Sequence, residues 1–255
     1  MIELINLKKR FDSRWVTNGV NLTIPDNKMT VIIGGSGAGK SVLLKQIIGL
    51  IPPTSGQVVV DGVDITQLPK KELENIYQKF GYVFQFAALL DSLNTFENVG
   101  ITLLERGVPE EEVLAIVKEK LALVNLSQEV LHKYPSELSG GMRKRVGLAR
   151  TLVKNPDIIL YDEPTTGLDP ITTRVIHELM FDMQKKLNIT SVIISHDVEI
   201  FNYADNIALL HDGKIVYHGD AKTVWDSDNP YIFQFIRGLS EGPIQPDVPS
   251  PDQDQ

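Results

Sequence analysis

Apolar residues near the start of the chain are spaced for strands: Ile2, Leu4 and Leu7, then Val16, Val20, Leu22 and Ile24. This near-alternation suits a sheet with one buried face. Val58-Val59-Val60, running into Asp61-Gly62, adds another strand and a turn. Together these segments predict a small antiparallel sheet. Met29–Ile33, Ile158–Glu163 and Thr190–Ile194 follow a different pattern. They are short, nearly continuous apolar runs, as in strands buried on both faces of a parallel sheet. Gly81–Gln85 reads as a short strand, and the apolar run Phe86–Leu90 as a loop. Leu43, Leu44, Ile47 and Ile48 recur at helical spacing, with Gly49 as the stop. From Thr95 to about Asn155 the period is mostly helical. Val113, Ile116, Val117, Leu121 and Val124 form one stripe between Pro109 and Pro135. Ile207–Leu210 and Ile215–Tyr217 flank Asp212-Gly213 as a hairpin, and Val224–Leu239 reads as a last helix. Parallel-type strands interleaved with helices predict an α/β fold.

Between the strand ending at Ile33 and the helix carrying Leu43 lies Gly34-Gly35-Ser36-Gly37-Ala38-Gly39-Lys40-Ser41. This is the pattern G-x-x-x-x-G-K-[ST] in its strand-loop-helix context. The glycines let successive backbone N–H groups turn inward around phosphates. The lysine reaches the terminal phosphates and the serine hydroxyl suits Mg²⁺. The following helix points its positive end at the nucleotide. The stretch therefore predicts a nucleoside triphosphate site.

Composition narrows the picture modestly. The chain has 255 residues, 42% hydrophobic and 23% charged, an ordinary globular balance. Its net charge of −8 argues against nucleic acid as the main partner. It has no cysteine, which excludes disulfides and thiolate metal sites. No run approaches the ~18 apolar residues of a membrane span, and Met1-Ile2-Glu3-Leu4 does not open a signal peptide. The chain is expected to be soluble and to reach any membrane through a partner.

Two acids, Asp162 and Glu163, close the run Ile158–Glu163, and Ser195-His196-Asp197 follows the strand Thr190–Ile194. Such positions fall at the carboxyl edge of a parallel sheet, where ligands bind. Ser139-Gly140-Gly141 opens a helix bearing Arg143, Lys144, Arg145 and Arg150. Cations in a first turn oppose the helix dipole, and a solvated face is an equal reading for Arg143 and Lys144.

The ordered set Gly34–Ser41, Gln85, Leu138-Ser139-Gly140-Gly141, Ile158–Glu163, Gly167-Leu168-Asp169 and His196 resembles the ATP-binding cassette (ABC) ATPases over nearly the whole chain. The resemblance implies a RecA-like parallel core, a small antiparallel subdomain and an inserted helical subdomain at about 87–155, all within residues 1–240. It also implies ATP hydrolysis with Mg²⁺. Gly34, Gly35, Ser36, Gly37, Ala38, Gly39, Lys40, Ser41 and Val42 would hold ATP, and Phe11 falls where the family stacks adenine. Asp162, Ser41 and Gln85 would serve Mg²⁺, Glu163 would be the base, and His196 the γ-phosphate switch. Ser139, Gly140 and Gly141 would bind the ATP of a second copy in a head-to-tail dimer, linked through Asp169.

Two positions depart from the family pattern. Gly35 stands where proline is common, and Met142 replaces the usual glutamine after Ser-Gly-Gly. Met142, Phe84–Ser92 and Gly238-Leu239-Ser240-Glu241-Gly242-Pro243 look like the ATPases of bacterial phospholipid transport between inner and outer membrane, the Mla type. That likeness implies permease subunits, an MCE-domain protein and often a STAS-domain protein, with the ATPase peripheral on the cytoplasmic side of the inner membrane. Solute import or lipoprotein release is the rival transport reading. A free ABC ATPase acting on DNA or ribosomes is the third, and the chain lacks the long coiled coil that such proteins carry.

Phe86–Leu90 reads either as core or as a groove for a permease helix. The segment 241–255, with Pro243, Pro246, Pro249 and Pro251, reads as a partly disordered tail. At its start, residues 239–245 are expected to order against a second protomer through Leu239 and Ile244, with the remainder to Gln255 mobile.

Overall fold

The computed structural model describes residues 1–245. β1 (Ile2–Phe11) and β2 (Arg14–Ile24) form an antiparallel hairpin, and β3 (Met29–Ile33) starts a second sheet. α1 (Lys40–Ile47) follows the glycine-rich loop and stops at Gly49, whose φ of 79° needs no Cβ. β4 (Ser55–Val60) and β5 (Val63–Asp64) return to the first sheet. α2 (Lys70–Lys79) then leads into β6 (Phe80–Val83).

Three helices come next: α3 (Thr95–Leu104), α4 (Glu110–Leu123) and α5 (Gly140–Leu152). α3 starts in a capping box, with Asn94 accepting from the Glu97 N–H and Glu97 accepting from that of Asn94. β7 (Ile158–Asp162), α6 (Pro170–Leu187) and β8 (Thr190–Ile194) resume the second sheet. β9 (Asn206–His211), β10 (Lys214–Asp220) and α7 (Pro230–Arg237) complete the described elements.

The first sheet runs β2-β1-β4-β5 and is antiparallel throughout. The second runs β10-β9-β3-β8-β7-β6, parallel except at the β10 edge. One face of this second sheet packs on α1 and the antiparallel sheet, with Leu43, Leu44 and Ile47 against Ile32, Leu160 and Leu210. The opposite face packs on α3–α7, with Val113, Val117 and Leu121 in one continuous core with Ile159 and Tyr161. Of the stripe read from the sequence, Val113, Val117, Leu121 and Val124 are buried and Ile116 is half-buried against the same core.

Three boundaries differ from the sequence reading. β6 ends at Val83, leaving Gln85 in the loop beyond. β7 ends at Asp162, because Glu163 takes a left-handed φ of 47°. The expected helix Val224–Leu239 is broken: a single 3₁₀ turn, Val224–Asp226, precedes α7. Pro230 begins α7 at a position where its missing N–H is harmless, and Asn229 caps it.

The parallel register brings the carboxyl ends of β3, β8, β7 and β6 to one edge. Ile32 lies opposite Ile194, Ile194 opposite Asp162, and Tyr161 opposite Val83. The segments that follow these strands form the site.

Candidate active site

The glycines of the loop Gly34–Ser41 are not equivalent. A Cβ on Gly34 would lie 2.4 Å from the Leu210 carbonyl oxygen, and one on Gly39, at φ 94°, 2.7 Å from Val16 Cγ1. A Cβ on Gly35 would meet nothing within 4 Å among the described residues. Lys40 is buried, and its ammonium donates to the carbonyls of Gly34 at 2.9 Å and Gly35 at 3.0 Å. Glu163 Oε1 lies 3.7 Å from it. Burial lowers the Lys40 pKa, and the charges of Glu163 and Asp162 oppose that shift.

Ser41 Oγ donates to Asp162 Oδ1 at 2.9 Å, and the Tyr82 hydroxyl donates to Asp162 Oδ2 at the same distance. A serine hydroxyl beside a carboxylate is a hard oxygen donor set that fits Mg²⁺, which takes few protein ligands and completes its shell with phosphates and water. Among the described residues no cluster of three or more acids and histidines competes for a metal.

Glu163 is fixed from several sides. Its N–H donates to the Ile194 carbonyl at 3.0 Å, and Thr166 Oγ1 donates to its Oε2 at 2.9 Å. His196 Nδ1 lies 3.3 Å from the same Oε2. Lys40, Ser41, Asp162, Glu163 and His196 therefore converge. Such an array can grip phosphate oxygens, hold a divalent cation and polarise a water.

Gln85 is half-buried in the loop after β6, and its carbonyl accepts from Lys144 Nζ. The next residues are strained, with Ala87 at φ 60° and Ala88 at φ 48°. Arg150 holds both of their carbonyls at 2.7 Å. Lys144 and Arg150 are thus not a solvated face. Burial lowers the pKa of each, and nearby Glu163 partly offsets this at Lys144.

Ser139, Gly140 and Gly141 form a separate surface. Ser139 is exposed and caps α5, accepting from the Met142 N–H at 3.3 Å. Gly141 allows close approach to α6, since a Cβ would lie 2.7 Å from Thr172 Cγ2. Asp169 caps α6 through Thr172, whose N–H and hydroxyl donate at 3.0 and 2.6 Å. The Thr172 hydroxyl contact is the main reason the Asp169 pKa is lowered.

A cleft of about 940 Å³ opens beside the loop, lined by Trp15, Gly35–Ala38, Asp212 and Leu239 among others. Phe11 is not in its lining. It stands 44% exposed at the hairpin tip beneath Lys9, while Trp15 stacks with Arg10. Trp15 and Tyr82 are not among the site residues expected from the sequence, and Lys144 proves to brace the Gln85 loop. Only a tryptophan beside a basic run hinted at the first.

A protein-family model described as ABC transporter matches residues 17–166. The intermembrane phospholipid transport system ATP-binding protein MlaF of Haemophilus influenzae is 38% identical over 254 residues, 99% of this chain and 96% of that protein. A Mycobacterium tuberculosis protein named for ribonucleotide transport is 42% identical over 245 residues, 95% of this chain and 68% of its own length. A dimeric ATP-binding cassette solved in a post-hydrolysis state with ADP and Pi superposes with a TM-score of 0.79 at 32% identity, covering 87% of this chain and 99% of that one. The chain belongs to the ABC transporter ATP-binding family and is an ATP hydrolase of that family.

Proposed function

We propose that the chain is the energy-coupling ATPase of a transporter that moves phospholipids between inner and outer membrane, of the Mla type. The observation that carries this reading is the end-to-end match with the Haemophilus influenzae phospholipid transport ATPase. Met142 and the segment Gly238–Pro243 support it. The name of the mycobacterial relative favours a second reading, solute transport, but this chain spans a smaller share of that protein.

In this reading ATP is held by Gly34–Val42, with Trp15 lining the cleft on the base side and Phe11 outside that lining at the adjacent hairpin tip. Ser41 and Asp162, together with Gln85, would hold Mg²⁺, which would supply charge neutralisation at the terminal phosphates. Glu163 accepts the proton of the attacking water, and His196 faces the γ-phosphate. Lys40 exchanges the Gly34 and Gly35 carbonyls for phosphate oxygens. Ser139, Gly140 and Gly141 serve the nucleotide of a second copy, with Asp169 between the two sites. Leu239 adds an apolar contact between the copies.

Among the described residues no helix is long and apolar enough to cross a membrane. As the ATPase of such a transporter, the chain works peripherally on the cytoplasmic side of the inner membrane through permease subunits. Its further partners are an MCE-domain protein and often a STAS-domain protein. The test is affinity purification of the tagged full chain from gently solubilised membranes. Recovery of a permease with an MCE-domain protein is expected. Recovery of a soluble solute-binding protein in its place overturns the reading in favour of solute import.

A further inference from the structure

Asp162 has two carboxylate oxygens, and a different element of the fold meets each. Oδ1 accepts from Ser41, at the start of α1, while Oδ2 accepts from the Tyr82 hydroxyl on β6. Both contacts measure 2.9 Å. β6 is the edge strand beside β7, with Tyr82 opposite Leu160, so the Tyr82 side chain reaches two residues along its neighbour to meet Asp162. We propose that Tyr82 is a positioning residue for the Mg²⁺-holding carboxylate, an inference that rests on the reading of Asp162 as a metal ligand.

The physical case has three parts. A carboxylate on a single-bonded stem rotates, and a donor on one oxygen fixes which way the other faces. Hydrogen-bonded partners behind a metal ligand supply this orientation, and their loss costs about 10–100-fold in metal affinity. The Tyr82 hydroxyl can serve only as the donor here: an ionised carboxylate only accepts, so the phenol O–H points at Asp162 Oδ2. Finally, Tyr82 itself is held. Its carbonyl accepts from Thr151 Oγ1 of α5 at 3.2 Å, and its ring lies 4.6 Å from that of Phe84. Phe84 is 46% exposed immediately before Gln85. The carboxylate is thus braced by the strand that leads into the Gln85 loop and by the helix that starts at Ser139.

The experiment compares the Kd of a fluorescent ATP analogue in EDTA and in Mg²⁺. It uses the full chain carrying Glu163→Gln to stop turnover. Tyr82→Phe keeps the ring and its packing and removes only the donor. It should leave the Kd in EDTA unchanged and reduce the Mg²⁺-dependent tightening about tenfold. A merely structural role would move both values together. Tyr82→Met, which fills the same space without a donor, is a second route should the first variant fold poorly. Asp162→Asn tests the metal-ligand role of Asp162 separately from the donor role of Tyr82. Loss of Mg²⁺ dependence in Asp162→Asn with full retention in Tyr82→Phe overturns the role of Tyr82 alone. Retention in Asp162→Asn overturns the metal-ligand reading and this inference with it.

Discussion

Lys40 Nζ and Glu163 Oε1 stand 3.7 Å apart across the site, a contact between the first turn of α1 and the residue after β7. Each is also held by neutral partners: Lys40 by the loop carbonyls, Glu163 by Thr166 and the backbone of Ile194. Glu163→Gln preserves the shape and removes the charge. As a general base Glu163 would contribute ~10²–10⁴-fold to the rate. The expected outcome is a fall in turnover of that order, with ATP binding retained or tightened because Lys40 is freed for phosphate. Steady-state ATPase assays and equilibrium nucleotide binding on the full chain check this. Undiminished turnover would remove Glu163 from the chemistry.

Much of this site was legible before any coordinates. Lys40, Ser41, Asp162 and Glu163 announce themselves by residue type at fixed spacing on short buried strands, and sheet register alone brings them to one edge. The boundaries were less legible. Glu163 leaves β7 through a left-handed φ, which a glutamate in an apolar run does not signal. Pro230 and its Asn229 cap outweigh the apolar period that joins Val224 to Leu239. Tyr82 was invisible because its partner lies 80 positions away. A solvated face is an equal reading for Lys144 in the sequence, yet Lys144, like Arg150, serves backbone carbonyls of the loop after β6. A strained loop shows no composition signal for the side chains that hold it. The further expectation of disorder over 246–255 concerns residues outside those described.

The run Phe86–Leu90 divides by burial. Leu89 is half-buried against the main core, whereas Phe86 is 81% exposed. A charge at Leu89 would confound folding with docking, so Phe86 is the position that tests a permease contact. Phe86→Asp should leave nucleotide binding and the unfolding midpoint of the isolated chain unchanged. In the complex it should weaken association with the permease about tenfold, the effect of losing a buried aromatic anchor of at least ~1.4 kcal/mol. Pull-down of permease by tagged variants measures this. Equal recovery by parent and variant would remove Phe86 from the interface.

His177 gives the fold a pH dependence. It is 1% exposed on α6, neither ring nitrogen has a hydrogen-bond partner among the described residues, and Nε2 lies 4.0 Å from Asp197 Oδ2. Burial lowers its pKa from 6.5, and Asp197 opposes the shift. Below the unfolded value the unfolded chain takes up a proton that the folded chain resists. Stability from this group is therefore lost as pH falls from about 6.5 toward the lowered folded value. His177→Phe keeps a ring against Tyr203 and removes the titration. The urea midpoint of the variant should fall less between pH 7 and pH 5 than that of the parent. Identical pH profiles would show that His177 does not set the acid sensitivity.

The last described segment is tied to its own chain by one side chain. Gln234 on α7 is buried, donating to the carbonyls of Leu239 at 3.2 Å and Ile244 at 2.9 Å, and accepting from the Ile244 N–H at 2.7 Å. Gly242 is needed for this clasp, because a Cβ there would lie 2.4 Å from Gln234. Ile244 consequently packs on the core of its own protomer, while Leu239 remains 46% exposed on the rim of the nucleotide cleft. Of the two anchors expected to meet a second protomer, only Leu239 is presented to one. Burying a whole leucine contributes ~1.5–3 kcal/mol, and half of that is about tenfold or less in dimerisation. Leu239→Ser should weaken the ATP-dependent dimer by that factor and leave the unfolding midpoint alone. Truncation after Gly238 should do the same and also strand the Gln234 amide, at ~1–3 kcal/mol. For a chain of this size that lowers the midpoint by several degrees, at ~2–4 °C per kcal/mol. Size-exclusion chromatography with ATP in the Glu163→Gln background, paired with thermal unfolding, separates the two effects. If Leu239→Ser dimerises as well as the parent, the segment serves only its own fold.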